Sequence, residues 1–71
     1  MPEPIVKRTG RHDFTAYNIR PKHLRFGTII PVEGLKANEG KTWKVDDYTT
    51  RMLFLKNEYG AGLMAEIDES D

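Results

Sequence analysis

The chain contains no cysteine, so neither a disulfide nor a thiolate metal site can staple it. Its single serine, Ser70, is the next-to-last residue. A nucleophile needs a base held against it, and that position offers none. The two histidines, His12 and His23, are eleven positions apart in weakly patterned segments. A zinc site needs three or four converging ligands, and no further ligands are spaced to join them. No metal or other cofactor is expected, and no small-molecule substrate. No apolar run approaches the ~20 residues that cross a bilayer, and the first residues, MPEPIVKRTGR, lack the apolar stretch of a signal peptide. A membrane association is therefore not expected.

Phosphate-binding motifs are also missing. The nearest approach is Gly34 to Thr42, GLKANEGKT. It places five residues between Gly34 and Gly40 where the phosphate loop requires four, and it leads into a strand-like segment instead of a helix. The adjacent carboxylates Asp46 and Asp47 would point to opposite faces of a strand, or cap a helix. General acid–base work would need one of them desolvated in a cleft, and 71 residues leave little room for one. The expectation is a protein that is not an enzyme.

What is present is a short, well-charged chain with 38% hydrophobic and 31% charged residues. That balance supports one small domain with a marginal core. The net charge is zero, yet residues 1–25 carry six bases against two acids, and residues 26–71 carry five bases against nine acids. Pro2, Pro4 and Gly10 mark residues 1–13 as a flexible basic arm. Residues 14–67 read as a single small β-rich domain, and residues 68–71 as an acidic tail.

Within the domain, Gly27 to Glu33 is the clearest strand. Ile29, Ile30 and Val32 are β-branched, and Pro31 assigns the segment to an edge or a bulge. A glycine-rich loop follows, and then Lys41 to Val45 alternates so that Trp43 and Val45 face inward. These two strands should pair as an antiparallel hairpin. Pro21 ends an earlier strand near Phe14 to Ile19, and residues 21–26 form a connection or one helical turn. Residues 46–60 admit two readings. As a helix over 46–59, they align Tyr48, Met52, Leu55 and Tyr59 on one stripe. As strands, Thr49 to Leu55 turns at residues 57–60 and returns with Leu63, Ala65 and Ile67 on one face. The fold class is mainly β: a small antiparallel sheet or partial barrel with an extended N-terminal arm, and with one short helix at 46–59 if the helical reading holds.

Candidate contact residues are the cations of the first third: Lys7, Arg8, Arg11, Arg20, Lys22 and Arg25. Phe14, Tyr17 and Phe26 lie among them. Single-strand binders combine cations with aromatic platforms, whereas a chain this short also needs its aromatics for a core. The pattern points to a protein partner or self-association, with nucleic acid as the alternative partner of the basic third.

From Arg11 to Met52 the chain resembles the opening segment of the major capsid proteins of the microviruses, small single-stranded DNA phages. The residues that carry the resemblance are Arg11 and Phe14, Gly27 with Ile29-Ile30-Pro31-Val32, then Gly40, Thr42, Trp43 and Val45, and Arg51-Met52. It implies a strand, loop and returning strand of the kind that opens a β jelly roll. It further implies a structural component of a virus particle, located in the virion or the cytoplasm of a host cell. The family's chains are several times longer, and residues 53–71 do not continue the pattern.

Overall fold

Alternating burial decides the fold. Trp43 and Val45 are buried while Lys44 between them is exposed, which is the period of a strand with one face on a core. The computed structural model describes residues 2–34 and 42–68. It contains five strands: β1 (Ile5–Arg8), β2 (Phe14–Tyr17), β3 (Trp43–Tyr48), β4 (Met52–Asn57) and β5 (Gly62–Ile67). Among the described residues, one 3-10 turn, Pro21–His23, lies between β2 and β3. The protein is therefore mainly β, as the composition and patterning suggest.

The strands form one sheet in the order β1-β2-β5-β4-β3. Neighbours pair antiparallel except β2 and β5, which run parallel through Thr15↔Glu66 and Ala16↔Ile67. The sheet is thus mixed. Its parallel pair arises because the chain leaves β2, crosses the molecule and builds β3 and β4 before returning.

Residues 28–33 bridge both margins of this sheet. On one side the Ile30 N–H donates to the Trp43 carbonyl and the Val45 N–H to the Thr28 carbonyl, both at 2.9 Å. On the other, the Val6 N–H donates to the Pro31 carbonyl at 2.9 Å and the Glu33 N–H to the Val6 carbonyl at 2.8 Å. The expected antiparallel pairing of this segment with the Trp43 strand is present, with Ile29 opposite Lys44. Pro31 offers no N–H, and here only its carbonyl is used. One segment therefore ties β3 to β1 and curls the sheet into a small barrel.

The core fills that barrel. Val6, Ala16, Ile30, Trp43, Val45, Leu53, Leu55 and Ala65 are buried, and Phe14, Ile19, Leu24, Val32, Leu63 and Ile67 pack against them. Every strand contributes, along with the bridging segment. Leu63, Ala65 and Ile67 share the inner face of β5, in line with their alternation.

Two expectations are corrected. Residues 1–13 do not form a separate arm, since Ile5–Arg8 is a sheet strand and Val6 is fully buried. Proline spacing concealed this, and one inward side chain anchors the whole strand. Nor is there a helix at 46–59. That stretch is the end of β3, a turn and β4. Thr49 makes the turn: its hydroxyl accepts the Met52 N–H at 3.0 Å, and its own N–H donates to the Met52 carbonyl at 2.8 Å. The loop residues 35–41, including most of the phosphate-loop-like stretch, and the tail residues 69–71 lie outside the described residues.

Candidate interaction surface

The six cations singled out in the sequence do not converge. The β1–β2 hairpin runs Val6↔Ala16 and Arg8↔Phe14, so Lys7, Arg8 and Arg11 lie along it toward its loop. Arg20, Lys22 and Arg25 follow β2 and belong to the opposite end. Lys7 places its ammonium 6.0 Å from the Tyr17 ring centroid, a cation–π contact across the exposed face. The Arg8 guanidinium turns inward on its own hairpin. It donates from Nε to the Gly10 carbonyl at 3.0 Å and from Nη2 to the Arg11 carbonyl. Its donors serve the loop, which leaves less of them for a ligand.

At the other end, the Arg20 N–H donates to His23 Nδ1 at 3.0 Å. An accepting Nδ1 means a neutral ring protonated on Nε2. Burial lowers the His23 pKa below 6.5, and the charges of Lys22 and Arg20 push it further the same way. This segment therefore presents positive potential without a titrating histidine at neutral pH.

The 3-10 turn leads directly into an exposed aromatic surface. Arg25 to Thr28 form a tight turn, with the Thr28 N–H donating to the Arg25 carbonyl at 3.0 Å. Gly27 takes the left-handed conformation at φ +84°, which this turn needs at its third position. Phe26 sits at the tip and is 72% exposed. Sequence reasoning counted it among aromatics available for the core, and the turn instead lifts it out. Ile29 is 59% exposed beside it, because its neighbour Ile30 takes the inward position.

Tyr48 joins them through a bulge. Val45 pairs with Leu55, but Asp47 pairs with Phe54 and Tyr48 with Leu53, so Asp46 is an extra residue in β3. If Asp46 were instead paired in an unbulged strand, strict alternation would turn Asp47 to the core face and Tyr48 outward. With the bulge, Asp47 stays on the outer face and Tyr48 shares the face of Leu53 at the end of the strand. The Tyr48 and Phe26 rings meet with centroids 6.0 Å apart and planes tilted by 46°, a favourable aromatic geometry.

A groove runs from Phe26 and Ile29 across Lys44 to Lys56 and Glu58. Lys44 and Lys56 are directly opposed on β3 and β4. Like charges in that register repel. Asp46 and Glu58 line the same groove and offset them. Neither lysine was singled out in the sequence, because only the β3–β4 register brings them together. Among the described residues no cluster of three His, Cys, Asp or Glu side chains could hold a metal ion. No helix among them is long and apolar enough to cross a membrane. No family model matches this chain, and neither a curated protein nor a solved structure matches it.

Proposed function

We propose that the protein is a non-enzymatic docking module that binds into a larger assembly through the Phe26–Ile29–Tyr48 surface. The observation that carries this reading is the exposure of Phe26 and Ile29 side by side on a small domain that could have buried them. Large apolar side chains gathered on one surface and rimmed by polar groups mark contact sites. Aromatic residues in such places supply most of the binding energy. A virus particle is the assembly that the resemblance of residues 11–52 suggests.

Sedimentation of the native protein from its source tests this. Wild type should travel with a fast-sedimenting assembly. Phe26→Glu, which changes a turn tip and spares the core, should run as a folded monomer. A wild-type chain that sediments alone at every concentration, or a Phe26→Glu chain that still travels with the assembly, would refute the reading.

A further inference from the structure

We infer that the occupant of the Phe26–Tyr48 surface is a single strand of nucleic acid. The inference rests on the docking reading above and names the partner of that same surface.

Two features set this surface apart from an ordinary apolar patch. The first is the kind of side chain exposed. Phe26 stands at a turn tip with its ring open to solvent, and the Tyr48 ring meets it at a tilt of 46°. Bases stack on such rings whatever their identity, because every base has a flat π face. The second is the charge around the rings. Arg20, Lys22 and Arg25 occupy the connection that delivers Phe26, and Lys44 and Lys56 form the opposed pair in the adjoining groove. The acids nearby are Asp46, Asp47 and Glu58. Five cations, Arg20, Lys22, Arg25, Lys44 and Lys56, stand against these three acids and leave an excess of two positive charges. Three of the five, Arg20, Lys22 and Arg25, fall in the six residues that precede Phe26. A polyanion whose bases stack on Phe26 while its phosphates follow these three cations satisfies both features. An apolar protein surface would leave the cations unmatched.

The opposed lysines add to the argument. Like charges facing each other across a strand pair weaken the sheet. A phosphate placed between Lys44 and Lys56 would relieve that repulsion on binding.

Fluorescence anisotropy with labelled oligo(dT) and oligo(rU) of roughly 12 nucleotides, a length that small β-barrels accommodate, tests the inference. Wild type should bind both, with affinity falling as salt rises at a log–log slope of about −3, as four phosphate contacts on a single strand would give, three along Arg20, Lys22 and Arg25 and one at the lysine pair. Phe26→Ala should weaken binding by about tenfold or more, the loss expected from one stacked base. Lys44→Glu should weaken it and flatten the salt slope. Met64→Ala, an exposed side chain of β5 that lines a separate hollow with His12 and Phe14, should change nothing. Circular dichroism melts confirm that each variant is folded.

Two results would overturn the inference. One is no binding to either oligonucleotide at low salt. The other is binding that Phe26→Ala and Lys44→Glu leave unchanged, which would place the contact on the Lys7–Arg11 hairpin. If oligonucleotides fail to bind while Phe26→Glu still releases the protein from its assembly, the docking reading stands and the partner is a protein. If Phe26→Glu has no effect there either, both readings fall.

Discussion

Trp43 is the largest side chain of the core and only 5% exposed. Its backbone carbonyl also accepts the Ile30 N–H that ties the bridging segment to β3. Trp43→Ala would open a cavity that so few neighbours cannot refill, at a cost of about 3–5 kcal/mol. Domains of this size have a total stability of similar order. The variant should therefore show no cooperative unfolding transition at 25 °C in urea monitored by circular dichroism, and a midpoint equal to wild type would contradict its place in the core. Asn57 illustrates a smaller debt at the same scale. Its buried carboxamide oxygen accepts the N–H groups of Tyr59 at 3.0 Å and Ala61 at 2.9 Å. That side chain organises the β4–β5 turn, and Gly60 supplies the left-handed residue that closes it. Trp43 and Val45 were legible from alternation alone. Phe26 was not, because nothing in its residue type distinguishes a ring on a turn tip from a ring in a core.

Among the elements, β3 is the one whose irregularity matters most. The extra residue Asp46 interrupts a clean alternation. This is why residues 46–60 also fit a helix: once the period of two is broken, Tyr48, Met52, Leu55 and Tyr59 line up at helical spacing. The register, not the propensity, resolves the ambiguity. Deleting Asp46 should give a regular strand in which Asp47 still faces Phe54 and Tyr48 still faces Leu53. The urea midpoint of the deletion should therefore stay close to that of Asp46→Gly, which keeps the bulge. A midpoint far below it would show that the register slips instead and carries Asp47 toward the core, where a carboxylate is expensive. The β4–β5 hairpin was readable from its turn signal and from Leu63, Ala65 and Ile67. The Lys44–Lys56 pair was not, because cross-strand neighbours follow from register, which the sequence expresses only weakly around a bulge.

On the scale of the whole molecule, the ring of strands depends on its first segment. β1 pairs with β2 on one side and with residues 31–33 on the other, and Val6 is completely enclosed. Removing residues 1–8 would expose Ala16, Ile30 and Val32 to water and free one margin of the bridge. The shortened chain should lose its cooperative thermal transition, whereas a dispensable arm would leave the melting temperature in place. Two prolines and a run of charge made this strand look like an arm, since one buried valine is too little apolar signal for a window-based reading. A β-rich single domain was visible from the chain's overall character. Closure was not, because it rests on pairings between distant segments that no local pattern announces.

The parallel contact between β2 and β5 has a consequence for how the chain acquires its structure in time. Ala16 waits for Ile67, roughly fifty positions downstream. The β1–β2 hairpin can form early but has no neighbour on its second side until β5 has been made. During synthesis on the ribosome the N-terminal third therefore emerges with Val6 and Ala16 uncovered, and the barrel can close only after β5 has left the exit tunnel. The sheet should therefore fold only once β5 has emerged, with a slow rate set by topology and an interval in which its first strands depend on chaperones or on a binding partner.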